Sequence, residues 1–204
     1  MITIIDYGMG NLGSIKNMLN RLGFEAEITS DLNAIRHAEK LILPGVGAFD
    51  NAMTKLEKLG FIPVLNEKAL KEQVPFIGIC LGMQLLTNKS EEGQLNGLGW
   101  IDAETLRFQF SPEKKLRIPH MGWNTITIQQ DTCLFQGMYE EPQFYFVHSY
   151  YVKCKSPSVV LATTHYGIDF TSGIVQDNIY GLQFHPEKSH KYGKLVFKNF
   201  AELC

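Results

Sequence analysis

The sequence predicts an α/β fold, a mostly parallel central sheet with an antiparallel extension in the second half. Three observations predict it. Short apolar runs alternate with helical patterns up to about residue 98. The apolar continuity of those runs is that of strands covered on both faces. Beyond that point the pattern changes to alternating strand-like runs.

Residues 3–5 form the first strand, and Leu12, Ile15, Leu19 and Leu22 then recur at helical spacing, so this crossover packs a helix on the sheet. Strands at 26–29 and 41–43 follow, with Asp31 placed to cap a helix between them. Ala52, Leu56 and Leu59 mark another helix, and residues 76–79 another strand. In the second half, strands are expected at 124–128, 144–147, 159–163 and 179–184, the antiparallel extension. Residues 189–203 read as a closing helix with Leu195, Val196 and Phe200 as its apolar positions. No linker, repeat or low-complexity segment divides the chain, so residues 1–204 are expected to form one domain.

Composition narrows the function. With 204 residues, 45% hydrophobic and 20% charged, the chain can bury a core. A net charge of −2 supplies no field to attract nucleic acid or an anionic membrane, and no aromatic-and-basic stripe suggests stacking on bases. The opening Met-Ile-Thr-Ile-Ile-Asp has neither a basic leader nor a long apolar run, so a cytoplasmic protein is expected. Cys80, Cys133, Cys154 and Cys204 are widely scattered without a C-x-x-C pair, which argues against a disulfide framework or a thiolate zinc site. Reduced thiols are expected.

The most informative segment is Gly78-Ile79-Cys80-Leu81-Gly82-Met83-Gln84. A cysteine with glycines two positions away on each side follows a buried-type strand and opens a helix, the grammar of a nucleophile elbow. The sharp turn strains the backbone at the nucleophile, and small neighbours let strand and helix pass close. The helix dipole would favour a thiolate. Taken alone, Cys80 reads more often as a small core residue, but a core cysteine has no need of the two glycines.

A thiol of ordinary pKa about 8.5 needs a base or a positive field near neutrality. Gln183-Phe184-His185-Pro186-Glu187-Lys188-Ser189 puts an imidazole and a carboxylate two residues apart directly after a predicted strand. Glu187 can accept from one ring nitrogen of His185 and turn the other toward the sulfur. Individually, a structural histidine and a solvated carboxylate are the commoner roles; the elbow makes the combination informative. His185, Glu187 and His190 are close in sequence, but the spacing matches no zinc motif and no cysteine lies nearby, so no metal is expected.

Leu43-Pro44-Gly45-Val46-Gly47-Ala48-Phe49 also links a strand to a helical pattern. Its N–H groups, with that of Leu81, could receive charge on a substrate oxygen; a plain strand-to-helix turn is the competing reading. Gly8-Met9-Gly10-Asn11-Leu12-Gly13 has the letters of a dinucleotide fingerprint but no acidic ribose partner at Thr29 or Ser30, so no cofactor is expected.

With Cys80, His185 and Glu187 in that order, the sequence resembles the triad-type (class I) glutamine amidotransferases. The segments D-Y-G-M-G-N-L, L-P-G-V-G-A-F, G-I-C-L-G-M-Q-L-L, P-H-M-G-W-N, Y-F-V-H-S-Y and Q-F-H-P-E-K-S are similar to the HisH family, the glutaminase subunits of imidazole glycerol phosphate synthase. The resemblance spans essentially the whole chain. It implies the three-layer α/β fold of class I glutamine amidotransferases, a γ-glutamyl thioester on Cys80, His185 as proton shuttle and Glu187 as its orienter. By motif position, Gly47 and Leu81 would supply oxyanion donors, and Gln84, Glu92, His148 and Ser149 would line the glutamine site, Glu92 meeting the substrate ammonium. Asn11, Trp123, Tyr145 and Lys188 match positions at the partner interface and ammonia gate. The implied partner is a (β/α)₈ barrel cyclase that receives ammonia in histidine biosynthesis.

Two alternatives stay open at this point. One keeps the chemistry and changes the acceptor, for example to a synthase of amidino-sugars for surface polysaccharide; residues 169–174 and 190–193 resemble such second copies. The other is a scaffold subunit that retained the fold and lost the chemistry.

Overall fold

The computed structural model describes residues 1–111, 113 and 115–204. The first half alternates strands and helices: β1 (Ile2–Ile5), α1 (Leu12–Arg21), β2 (Ala26–Thr29), α2 (Leu32–Arg36), β3 (Lys40–Gly45), α3 (Phe49–Lys58), α4 (Phe61–Asn66), β4 (Phe76–Cys80) and α5 (Leu81–Leu85). The second half runs β5 (Lys89–Ser90), β6 (Ala103–Arg107), β7 (His120–Thr125), β8 (Thr127–Ile128), β9 (Gln143–His148), β10 (Tyr150–Cys154), β11 (Val160–His165), β12 (Asp169–Gln176), β13 (Ile179–Leu182) and α6 (His190–Glu202).

The main sheet has the order β2-β1-β3-β4-β13-β12-β10-β6-β5, with β11 on β12 and β8 on β11. Pairing is parallel from β2 through β13 and antiparallel where β12 meets β13, β10 and β11. The expected parallel sheet and antiparallel extension are both present. The strand at 179–184 has a mixed role: β13 is parallel to β4 and antiparallel to β12. It thereby brings the end of the chain beside the elbow.

Successive strand residues point to opposite faces, and this divides the core in two. Ile4, Ile42, Ile77 and Ile79 pack with Ile15 and Leu19 of α1 and with Val196, Phe197 and Phe200 of α6. Ile5, Leu41, Leu43 and Phe76 pack with Phe49 and Leu56 of α3, Phe61 of α4 and Met83 of α5. Helices on both faces make three layers, and each fully buried large apolar side chain contributes about 1.5–3 kcal/mol. Asp31 caps α2 as expected, accepting from the N–H groups of Asn33 and Ala34. Leu59 departs from its expected packing role, because α3 ends before it and leaves it 42% exposed.

The strand expected at 124–128 is broken. β7 stops at Thr125, and β7 and β9 form a separate two-stranded ribbon. Phe144 and Phe146 of β9 enter the first core, while Met121 and Trp123 of β7 face solvent.

The expectation of four reduced thiols is corrected by a Cys133–Cys204 disulfide, formed across 71 residues of sequence with the Cα atoms 5.8 Å apart. The pairing is tertiary and leaves no local spacing signal. Asn199 of α6 donates to the carbonyls of Leu134 and Gln136, fixing the short turn that carries Cys133 against the helix that delivers Cys204. Lys40 secures the same end of the chain, donating to the carbonyls of Phe200, Ala201 and Cys204 at 2.9, 2.8 and 2.6 Å, where a cation complements the helix dipole. Cys80 and Cys154 are free.

Candidate active site

Because β3, β4 and β13 are parallel neighbours, their carboxyl ends deliver three turns to one edge of the sheet. The central turn holds Cys80 at φ 56°, ψ −109°, a conformation that costs a non-glycine residue about 1–3 kcal/mol. The flanking glycines impose it. A Cβ on Gly82 would fall on the Leu43 carbonyl oxygen, and one on Gly78 on the Gly82 backbone. α5 therefore sits directly against β3 and β4, and the chain must turn sharply at Cys80. Since α5 spans only Leu81–Leu85, its dipole is short, and side chains become the larger influence on the sulfur.

The third turn supplies them. His185 is 2% exposed, and its Nδ1 is 2.8 Å from Glu187 Oε1. The backbone around it is stitched in place: His185 N–H donates to the Tyr145 carbonyl, Ser189 Oγ donates to the His185 carbonyl, and Tyr145 N–H donates to Ser189 Oγ. With Nδ1 taken by the carboxylate, Nε2 is buried without a hydrogen bond of full geometry to protein. The ring nevertheless lines the same cavity as Cys80. Burial alone would lower the His185 pKa, but bonding to Cys80 and Glu187 and their negative charges outweigh it and push it up to about 10. A positively charged ring beside the sulfur is the field that a cysteine nucleophile needs near neutrality.

A cavity of about 390 Å³ opens beside this pair. Cys80, His185, Gly47, Leu81, Gln84, Glu92, His148 and Ser149, all expected at the site, line it together with Val46, Pro119, Val147 and Tyr150. Glu187 stands behind His185. One Glu92 oxygen accepts from Phe49 N–H at 2.9 Å. Burial raises its pKa, partly offset by that bond and reinforced by Asp50. Gln84 reaches the cavity, but its amide nitrogen is already engaged with the Tyr150 carbonyl and the Gln183 side chain.

Outside the cavity, Trp123, Tyr145 and Lys188 come together. The two rings are 6.4 Å apart, and Lys188 Nζ lies 5.6 Å from the Tyr145 ring. His190 joins them, stacked parallel to Trp123 at 5.3 Å. Asn11 precedes α1 on the first glycine loop, exposed and without a side-chain cap to the helix.

The model of the family described as glutamine amidotransferase class-I matches residues 3–203. The chain belongs to this family. Among relatives of this amidotransferase, imidazole glycerol phosphate synthase subunit HisH 2 of Methanococcus maripaludis is 56% identical over 99% of both chains, and the protein of the same name from Pseudomonas aeruginosa is 49% identical over the full length of both. The HisH subunit of Leptospira borgpetersenii is 43% identical, also over both full lengths. These identities give the HisH family within class I. A solved glutamine amidotransferase structure superimposes with a TM-score of 0.73 at 20% identity, covering 99% of this chain and 98% of that one, which bears on the fold alone. Among the described residues, no helix is long and apolar enough to cross a membrane.

The amidotransferase site has a second layer that its motifs do not announce. His148 Nδ1–H donates to the Tyr150 carbonyl at 2.7 Å; a carbonyl only accepts, so the tautomer is set. His148 Nε2 must then accept from His120 Nδ1–H at 2.9 Å, and His120 Nε2 accepts from Asn124 Nδ2 at 3.2 Å. The His120 ring stacks between Phe146 and Tyr166. Burial first, with repulsion from His120 and His185, pushes the His148 pKa down to about 3 despite the favourable carbonyl bond. Burial likewise pushes His120 down to about 4.

A stability effect follows from the sign of this shift. The folded His148 pKa lies below the unfolded value of about 6.5, so unfolding takes up a proton in acid. Its contribution is fully present above about pH 6.5 and is lost as pH falls toward about 3, with a slope approaching about 1.4 kcal/mol per pH unit. In urea titrations between about pH 7.5 and 5, the wild type is expected to lose stability more steeply than His148→Phe. Parallel curves would mean that His148 is not held neutral.

Proposed function

We propose that this chain is the single-domain, cytoplasmic glutaminase subunit of imidazole glycerol phosphate synthase. It hydrolyses glutamine and passes ammonia to a (β/α)₈ barrel cyclase in histidine biosynthesis. The observation that carries the glutaminase reading is the buried His185–Glu187 pair beside a strained Cys80 in one cavity. The shared name of relatives up to 56% identical supports the histidine-pathway acceptor over an amidino-sugar synthase.

In this mechanism Cys80 Sγ attacks the side-chain carbonyl carbon of glutamine, and negative charge moves to its oxygen, toward the N–H groups of Gly47 and Leu81. His185 gives its Nε2 proton to the departing nitrogen, so ammonia leaves and a γ-glutamyl thioester remains. His185 then takes a proton from water as it attacks the thioester; glutamate leaves and the thiol is restored. Glu187 keeps the imidazole aligned and stabilises its positive form. Gln84, Glu92, His148 and Ser149 line the glutamine site, Glu92 meeting the substrate ammonium.

The cluster of exposed Trp123 and Lys188 with half-buried Tyr145, together with Asn11 before α1, is the proposed partner face and ammonia gate. Ammonia must cross unprotonated, because ammonium is a poor nucleophile, and a dry passage would preserve it. Co-purification from the native cells tests the acceptor. The expected companion is a barrel protein that makes imidazole glycerol phosphate from the aminoimidazole ribotide precursor with glutamine as nitrogen source. A companion that aminates a sugar and leaves that precursor untouched would overturn the assignment.

A further inference from the structure

Gln183 is fully buried at the end of β13, one residue beyond the ladder and two before His185, and the mechanism above leaves it unused. Its Nε2 lies 3.7 Å from Cys80 Sγ. We propose that Gln183 is a further catalytic residue of this site, its amide N–H stabilising the Cys80 thiolate, and that Gln84 is the positioning residue that aims it. The inference rests on Cys80 being the nucleophile.

The direction of the amide follows from bonding logic. The Tyr150 carbonyl can only accept, and a Gln84 side-chain atom lies 3.3 Å from it, so that atom is the nitrogen Nε2. The same nitrogen lies 3.1 Å from a Gln183 side-chain atom, which must therefore be the acceptor Oε1. The remaining Gln183 atom, turned toward the sulfur, is then the NH₂ group. A flipped Gln183 would set two NH₂ groups against each other and point an oxygen at a thiolate. The Tyr150 carbonyl is itself held by His148 Nδ1–H, so the orientation traces back through His148 to His120.

The donor matters because a backbone neighbour of the sulfur has the opposite preference. The Val147 carbonyl is 3.9 Å from Cys80 Sγ; it can accept from a thiol, but it repels a thiolate. An amide N–H does the reverse, strengthening as the sulfur becomes negative. In a buried site, one bond to an ion counts for more than it would in water. Donation from Gln84 to Gln183 Oε1 further polarises the N–H aimed at sulfur.

The test measures carbamidomethylation of Cys80 by iodoacetamide in the full chain at about pH 7 and about pH 9, because only the thiolate reacts rapidly. Gln183→Met keeps the length and removes the donor; Gln183→Glu keeps an oxygen for Gln84 and turns an acceptor toward the sulfur. Melting curves and ammonia-supported synthesis by the complex report folding. Folded variants are expected to react about tenfold more slowly at the lower pH, the order expected for one hydrogen bond to an ion, and to recover much of the rate at the higher pH. If Gln183→Met does not fold, Gln183→Glu decides. Wild-type rates at the lower pH, or an equal loss at both, would overturn the proposal. Failure of a glutamine-derived diazoketone to label wild-type Cys80 would instead overturn the nucleophile assignment beneath it.

Discussion

Cys80→Ala is expected to abolish glutamine-supported synthesis by the assembled complex, a loss on the order of 10⁴-fold or more, while synthesis from added ammonium salts stays largely intact. The asymmetry follows from the division of labour. Cys80 supplies the electron pair that displaces ammonia, and neither His185 nor the cavity can replace it. Ammonia from solution enters after that step and needs only the partner's chemistry. The substitution removes one sulfur from a site whose backbone is set by Gly78 and Gly82, and alanine relieves none of the packing that holds the turn. Assays with both nitrogen sources check the prediction. Equal loss of the two activities would move Cys80 from catalysis to structure.

Glu187→Gln is expected to lower kcat of the glutaminase by about 10² to 10⁴-fold with little change in folding. The native carboxylate oxygen is 2.8 Å from His185 Nδ1, and both side chains are buried. A glutamine there is close in shape but carries no charge to balance the imidazolium. Its amide can also present N–H to Nδ1 and leave Nε2 protonated in the neutral ring, the wrong tautomer for taking a proton from Cys80. Steady-state glutaminase kinetics of the complex, with a melting curve alongside, measure the effect. A kcat within about twofold of wild type would remove Glu187 from the mechanism.

Much of this site was legible in the sequence because its signals are local. The elbow announces itself through two glycines at fixed distance from Cys80, and His185 and Glu187 are two residues apart on a turn stiffened by Pro186. β1, β3 and β4 were equally legible, since burial on both faces leaves continuous apolar runs, whereas β2, Ala-Glu-Ile-Thr at the sheet edge, is only partly buried. The second half was less so. β6 reads Ala-Glu-Thr-Leu-Arg, a short strand that carries a charged residue on each face, Glu104 half-buried and Arg107 exposed, and β7 and β9 leave the main sheet for a ribbon that periodicity cannot distinguish from an extension of it.

The remaining site residues were hidden because their roles are tertiary. Gln183 was visible in the motif, but a polar side chain at a strand end signals nothing until Gln84 and Cys80 are beside it, from 99 and 103 positions away. His120 acquires a partner only when β7 and β9 pair in the register that sets it opposite His148. The Cys133–Cys204 link likewise depends on where α6 docks.

The measurement closest to the central claim is mass-spectrometric mapping after treatment with the diazoketone analogue of glutamine. One adduct per chain on Cys80, formed much more slowly in a folded His185→Ala variant, is the result expected of a sulfur activated by its neighbouring imidazole. An unmodified Cys80 in the folded wild-type complex, or labelling indifferent to loss of His185, would contradict it.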